Sequence, residues 1–299
     1  MQRQETAAII TKQGRRGESA LQRIRPIMVP AMLGGLLAFV RPALADEPSN
    51  YQVQEQIRAL AIASPYRISD AARAGKIRYR LHVDGEDWIW PETGEQHVEH
   101  SGDDIVLTIC ADCGREPPPT AAELARYRTG NASVQSTDPR VAAFAHSVPA
   151  GKRVDRRMSA LVLAVQKHMN GAIDFRGYKS AREALDSRSG DCTEFAVLLA
   201  AVARARGIAA RVVTGVAYSS RFVGRSHTFG PHTWVQAWDG TRWVSYDAAL
   251  GRFDAGHIAI AVGDGSLESQ RGMMQRIARL HIVDAAGLLP AQTVSSASP

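Results

Sequence analysis

The stretch from His232 to Asp247, HTWVQAWDGTRWVSYD, places a histidine and an aspartate around a central Asp-Gly pair. Asp-Gly between aromatic and β-branched residues is typical of a hairpin, because a two-residue type I′ turn needs positive φ at both central positions. With Asp239 and Gly240 as that turn, stepping outward along both strands puts His232 opposite Asp247, and a longer loop would change this register. Directly opposed residues have Cβ atoms about 4.5–5.5 Å apart. The spacing therefore predicts an imidazole hydrogen-bonded to a carboxylate, which is how a catalytic base is oriented.

Cys192 lies where a helix is predicted to begin. Asp191 is a favourable N-cap and Glu194 follows three residues later, the spacing of a capping box. Unpaired backbone N–H groups and the positive end of the helix dipole would then face the sulfur, lower the thiol pKa and favour the thiolate. The same N–H groups could stabilise an oxyanion.

Cys192, His232 and Asp247 are therefore candidates for the nucleophile, base and orienting acid of a catalytic triad. Each also has an ordinary explanation, as an inert core cysteine, a surface histidine and a strand-end cap. Nothing local in the sequence brings the cysteine to the histidine. His227 is a rival base, although no derived register pairs it with an acid.

The pattern of apolar residues predicts the elements that position these side chains. Residues 76–83 alternate apolar and polar side chains, as a half-buried strand does, and residues 158–169 have helical spacing. The helix that begins at Cys192 is expected to stop at Gly207. Capping residues predict further helices after Thr120, Asp138 and Ser180. One long helix followed by several strands predicts an α+β fold.

The first 45 residues have the composition of an export signal. A basic stretch precedes the apolar run of residues 27–40, and Ala43-Leu44-Ala45 offers a cleavage site between small residues. The run is too short to span a membrane as a helix. We predict a cleaved signal peptide over residues 1–45, with no stable membrane span afterwards, and a periplasmic or secreted protein; an uncleaved anchor is the alternative.

The net charge of +6 also belongs mainly to this leader. Residues 1–45 hold seven of the 36 basic residues and only two of the 30 acidic ones. The rest of the chain is therefore close to neutral, which argues against a nucleic-acid partner.

Cys110 and Cys113, in CADC, are the other two cysteines. In an oxidising compartment they could pair and leave Cys192 free. The alternative, half of a zinc knuckle, lacks a second CxxC, so no metal is predicted. No nucleotide-binding pattern occurs, and no cofactor is expected.

Three blocks, SGDCTEFAVLLAAVARARGIAARVVTGVAY, PHTWVQAW and RWVSYDAAL, resemble the signature blocks of the transglutaminase-like superfamily in the same order. The resemblance covers about residues 180–262. It implies a papain-like core, in which the helix bearing Cys192 packs on an antiparallel sheet that carries His232 and Asp247 as catalytic partners. Gln236 and Ala248 depart from the family pattern, which often has an acid and a proline there; these departures concern substrate detail.

Four segments are expected along the chain. A strand-rich region at 46–135 follows the signal peptide at 1–45, the transglutaminase-like catalytic domain covers 136–264, and a C-terminal helix, strand and polar tail cover 265–299. Tyr218 and Trp234 could line the catalytic cleft or belong to the core.

The expected function is that of an exported cysteine-dependent acyl-transfer enzyme. It would act through a thioester on peptide or glutamine-type amides, with a peptide or protein as substrate, cell-wall peptide included. Hydrolysis by a protease or amidase is favoured over cross-linking, because water is abundant unless an amine site is built. The alternative is a non-catalytic transglutaminase-like binding module of the cell envelope.

Overall fold

The computed structural model describes residues 49–149 and 151–288. The leader predicted for residues 1–45 and the polar tail lie outside the described residues. The strands pair antiparallel throughout the described sheets, and helices pack beside them. The predicted α+β class is therefore confirmed.

The first sheet carries the candidate catalytic histidine. Its strand order is β1-β6-β5-β8, and β7 pairs with β6. The strands are β1 (Ile62–Ala63), β5 (Ala210–Phe222), β6 (Arg225–Trp238), β7 (Trp243–Tyr246) and β8 (His257–Gly263).

The second sheet joins segments that are far apart in sequence, with the strand order β3-β4-β2-β9. The strand predicted over residues 76–83 is confirmed, and the C-terminal β9 pairs along it. The strands are β2 (Lys76–Val83), β3 (Gln96–Ser101), β4 (Asp104–Ile109) and β9 (Leu280–Leu288). The division of the chain into four segments stays a prediction.

The helices begin where the capping residues predict. Thr120, Ser180 and Asp191 each form a capping box, and Asp138 caps a helix that starts with a proline. No helix within the described part of the chain is long and apolar enough to cross a membrane. The helices are α1 (Asn50–Ala59), α2 (Asp70–Arg73), α3 (Ala121–Arg126), α4 (Pro139–Ser147), α5 (Val154–His168), α6 (Ala181–Ser187), α7 (Cys192–Ala205), α8 (Leu267–Gln270) and α9 (Met273–Ile277).

Two apolar cores lie against the first sheet. In one, α4 to α7 pack against Val212, Val235 and Ala237. In the other, side chains of β2 and β4 meet Val216, Phe229 and neighbouring residues of the first sheet. The first sheet thus packs against both a helical layer and the second sheet, and α7 contacts its strands β5 and β6.

The hairpin between β6 and β7 has a longer loop than predicted. Trp238 pairs with Trp243, so four residues, Asp239–Arg242, connect the strands. The prediction of a two-residue turn is wrong. The Asp-Gly pair does not distinguish the two loops, because it also suits a longer loop in which only the glycine adopts positive φ, as Gly240 does at 111°.

The side chain of Asp239 closes this loop. Its Oδ1 accepts hydrogen bonds from the N–H groups of Thr241 at 2.7 Å and Arg242 at 2.9 Å. The register shift is two residues, an even number, so every side chain keeps its predicted face. Asp247, which follows the last ladder pair, is consequently a diagonal rather than a direct neighbour of His232.

We predict that Asp239→Ala lowers the free energy of unfolding by about 1 kcal/mol, because the loop loses the acceptor that satisfies its N–H groups. Urea unfolding measures the change. Asp103→Ala, in the exposed turn between β3 and β4, is the matched control and should have almost no effect. Equal stability of both variants would contradict the role of Asp239.

Candidate active site

His232 and Asp247 are in direct contact. Nε2 of the imidazole lies 2.7 Å from Oδ2 of the carboxylate, and both residues are buried. The other carboxylate oxygen accepts hydrogen bonds from the N–H groups of Ala249 at 2.8 Å and Leu250 at 3.0 Å. The predicted contact is confirmed, and Nδ1 is the ring nitrogen left for proton exchange.

A glycine on the strand opposite His232 allows the next strand, β8, to pack closely. His232 pairs with Gly215 on β5. A Cβ on Gly215 would lie 2.0 Å from the carbonyl oxygen of Ile258 on β8, so only glycine allows β8 to approach this closely. The start of β8 therefore lies close to Asp247.

Cys192 is the first residue of α7, as predicted, and it lines the same cleft as His232. Asp191 caps the helix by accepting a hydrogen bond from the Thr193 N–H at 2.8 Å. The N–H of Thr233, next to His232 on β6, is directed at the sulfur. The fold therefore brings together the cysteine and the histidine, which no local pattern connected.

The predicted lowering of the Cys192 pKa is wrong. Burial raises the pKa of this thiol well above its ordinary value, and the negative charges of Asp191, Asp247 and Glu194 act in the same direction. The hydrogen bond from Thr233 opposes them without reversing the sign. The sulfur is therefore a neutral thiol at rest, so a base must remove its proton when it reacts.

Glu194 is an unusual buried acid beside the nucleophile. Burial and the neighbouring Asp191 raise its pKa to about 8. Its carboxylate accepts hydrogen bonds from the N–H groups of Lys179 and Asp191, each at 2.8 Å. A Cβ on Gly190 would lie 2.5 Å from the Cβ of Glu194, so the glycine before the cap allows this close packing.

A second histidine, His257, shares the carboxylate of Asp247. Its Nε2 lies 3.0 Å from the same Oδ2 that contacts His232, and its Nδ1 lies 3.3 Å from Oδ1 of Asp254. Its ring packs edge-on against the rings of His232 and Trp234. Sequence reasoning missed this residue, since a histidine at the start of a strand carries no distinguishing signal.

The charges around His257 make it an imidazolium at neutral pH. Burial acts to lower its pKa, but hydrogen bonds to Asp247 and Asp254 and their charges outweigh burial and raise the pKa to about 9. The two histidines in turn outweigh the burial of Asp247 and hold its pKa below the ordinary value. Arg73 completes the chain of charges, with Nη1 2.6 Å from Asp254 Oδ2.

The ligating atoms of His232, Asp247 and His257 lie within 4.8 Å of one another. The two nitrogen–oxygen distances of 2.7 and 3.0 Å are those of direct hydrogen bonds to one shared oxygen. We interpret the three residues as a hydrogen-bonded chain rather than a metal site, because a metal would have to separate these partners.

The remaining predicted candidates do not line the cleft shared by Cys192 and His232. Nδ1 of His227 lies 2.8 Å from the hydroxyl of Tyr218, so the rival base is occupied elsewhere. Tyr218 and Trp234 are core residues at 3% and 2% exposure, and neither lines the cleft. Cys110 and Cys113 form a disulfide, and Cys192 is free.

The position of Gln236, where relatives often have an acid, receives an acid from another segment. Glu95, which precedes β3, accepts hydrogen bonds from Nε2 of Gln236 at 3.1 Å and from the N–H of Ser245 at 2.9 Å. Burial raises the pKa of Glu95, although these hydrogen bonds oppose it. The strand-rich region thus braces the hairpin that carries the histidine.

We predict that part of the pH dependence of stability comes from His257. Its folded-state pKa of about 9 exceeds the ordinary 6.5. Its contribution is therefore complete below pH 6.5 and lost as the pH rises through 9, by about 3 kcal/mol. Urea unfolding between pH 6 and 10 should show this loss in the wild type and in His100→Gln, an exposed control. His257→Gln should lack it; an identical pH profile in that variant would exclude the assignment.

Comparison with known proteins assigns part of the chain to a known superfamily. Residues 142–248 match the sequence model of the transglutaminase-like superfamily. No curated protein matches the chain.

Three solved structures are similar to the chain. One is a candidate cysteine protease from Cytophaga hutchinsonii, with 16% identity and a TM-score of 0.42, covering 71% of this chain and 86% of that one. Another is the periplasmic domain of TgpA from Pseudomonas aeruginosa bound to ethylmercury, with 17% identity, a TM-score of 0.44, and coverage of 68% and 95%. The third is red sea bream transglutaminase, with 12% identity, a TM-score of 0.34, and coverage of 64% and 48%. From the sequence match, residues 142–248 form a domain of the transglutaminase-like superfamily.

Proposed function

We propose that the protein is an exported cysteine-dependent acyl-transfer enzyme that hydrolyses peptide or glutamine-type amides. The observation that carries the proposal is the buried His232–Asp247 pair, 2.7 Å apart, whose histidine lines the same cleft as Cys192 at the start of a helix. Nucleophile, base and orienting acid are the parts that thioester chemistry requires. Cys192, His232 and Asp247 are the proposed catalytic residues.

The first half-reaction transfers the acyl group to sulfur. Nδ1 of His232 takes the thiol proton as Cys192 Sγ bonds to the substrate carbonyl carbon, and the carbonyl oxygen becomes an oxyanion. The N–H of Cys192, at the start of α7, stabilises that oxyanion. The N–H groups of Thr193 and Glu194 are not free to do so, because Asp191 already caps them. The intermediate collapses to a thioester as the C–N bond breaks, and the imidazolium donates its proton to the leaving amine.

The second half-reaction releases the product. His232 removes a proton from water, the oxygen attacks the thioester carbonyl, and the C–S bond breaks to give a carboxylic acid and the thiol. An amine in place of water would give a new amide, which is the cross-linking outcome. Asp247 holds the imidazole in the tautomer that both steps need and stabilises its charged form.

The same proposal extends to the compartment. The basic leader, the short apolar run and the Ala-Leu-Ala site support export. The Cys110–Cys113 disulfide is compatible with an oxidising compartment. The alternative is a binding module of the cell envelope that keeps this fold without turnover.

We predict that a thiol-reactive probe labels Cys192 in the unreduced protein and that Cys192→Ala abolishes both labelling and amide turnover. Asp247→Asn should retain labelling but lose turnover by roughly 10⁴-fold, by analogy with the serine triad. The double replacement of Cys110 and Cys113 by Ser is the control and should stay active. Full turnover by Cys192→Ala would exclude this residue as the nucleophile, whereas no turnover by the wild type on any peptide would leave the binding module as the explanation.

The choice between water and amine is tested on the same reaction. Mass spectrometry of products formed with and without a primary amine should show the carboxylic acid in both cases. A product dominated by the amine adduct would establish a cross-linking enzyme instead.

We predict that the exported protein begins at or near Asp46. N-terminal sequencing after expression in a bacterial host with a periplasm measures this directly. Replacing Ala43 and Ala45 by Arg should block processing, since the cleavage site needs small residues. A full-length chain recovered from the cytoplasm would contradict export.

A further inference from the structure

The cleft above Cys192 has walls that are mostly apolar. Its volume is about 310 Å³, near the lower end of the range for small-ligand sites. Separate parts of the chain form it, including α1, the end of β5 and α9. The walls include Ile57, Phe175, Phe195, Phe222, Pro231 and Met273.

The rim of this cleft exposes large apolar side chains. Ile173 is 63% exposed, Tyr178 49%, Leu250 53% and Met274 38%, and all four line the opening. Single exposed apolar residues are common on protein surfaces, whereas a cluster around one opening marks an interaction site. The rim therefore extends the apolar surface that a substrate meets beyond the walls.

Apart from Asp191 and His232 near the sulfur, no side chain that lines the cleft among residues 49–149 and 151–288 carries a charge at neutral pH. No Lys or Arg of the described residues lines it, and its carboxylate, Asp191, is engaged by the N–H of Thr193. A charged group entering the cleft would lose its hydration without compensation. Acidic and basic side chains are therefore disfavoured.

One polar side chain in the cleft lacks a partner. Gln270, at the end of α8, is only 7% exposed and lines the cleft beside Met273. Its side-chain amide makes no hydrogen bond with any of the described residues. The amide atoms of Gln270 are open to the cleft, so they are available to bind a ligand group. A peptide backbone supplies both the donor and the acceptor that a carboxamide needs.

We propose that the cleft selects a peptide segment with a bulky apolar side chain next to the attacked carbonyl, and that Gln270 binds the backbone of this segment. The proposal rests on the amide-hydrolysing function proposed above. Burying a Leu, Met or Phe side chain in the cleft favours these residues, while the Gln270 carboxamide distinguishes a peptide from an acyl chain that lacks amide groups. Glutamine donors, which have a polar side chain, are poor substrates.

The direct test is cleavage of a peptide library that varies the residues on both sides of the bond, read by mass spectrometry. Leu, Met, Ile and Phe should be enriched next to the cleaved bond, with kcat/KM about tenfold to a hundredfold above matched peptides with Gln, Glu or Lys. Cleavage with a preference for charged or glutamine residues would overturn the proposal and leave the hydrolase intact.

A charge placed on the rim tests the site itself. Leu250→Glu should lower kcat/KM for apolar peptides about tenfold and narrow or reverse their advantage over lysine peptides. Leu267→Glu is the matched control, because Leu267 is 50% exposed on α8 but does not line the cleft. Unchanged selectivity in Leu250→Glu, with both variants folded, would show that the rim does not contact substrate.

Gln270→Leu tests the backbone contact. The replacement is apolar and similar in size, so thermal stability should be kept or raised, whereas kcat/KM for peptides should fall about tenfold through KM. An unchanged KM would exclude the contact. Absence of turnover in every variant, together with absence of Cys192 labelling in the wild type, would instead refute the proposed function.

Discussion

The carboxylate of Asp247 is the constraint on which the site depends. It is buried, and a buried charge is tolerated only when its oxygens are fully hydrogen-bonded. Two backbone N–H groups bind one oxygen, while His232 and His257 bind the other. These partners come from the loop after β7, from β6 and from the start of β8. One carboxylate therefore fixes three separate segments relative to one another, and the orientation of the His232 ring follows from them.

The same burial sets the reactivity of Cys192. The pKa of this thiol is raised by burial and by neighbouring acids. The sulfur therefore stays protonated and unreactive toward side reactions, but it needs a base at the moment of attack. In the proposed mechanism, the apolar walls of the cleft strengthen the hydrogen bond that an oxyanion would receive. His257, positively charged between two carboxylates, balances the charge of Asp247. In the proposed mechanism, this leaves the imidazole of His232 to exchange the proton.

The N-terminal strands and the C-terminal strand belong to the support of this site. Glu95 accepts hydrogen bonds from Ser245 and Gln236 of the hairpin. The C-terminal β9 forms an edge of the second sheet by pairing with β2. The departure at Gln236 from the family pattern then has a physical explanation, because an amide at that position can donate to an acid that arrives from residue 95. The region without a recognisable resemblance is thus packed against the part with one.

Signals contained within one turn or one strand could be read from the sequence. Local spacing predicts the helix caps at Asp138, Ser180 and Asp191 and the strand at residues 76–83. It also predicts that His232 and Asp247 lie on one face of the hairpin, and the register shift of two residues kept them on that face. Local spacing could not predict four features: the length of the hairpin loop, the raised pKa of Cys192, the contact of His257 with Asp247 and the unpaired amide of Gln270. Each depends on burial and on contacts with distant segments, and both arise only when the chain has packed.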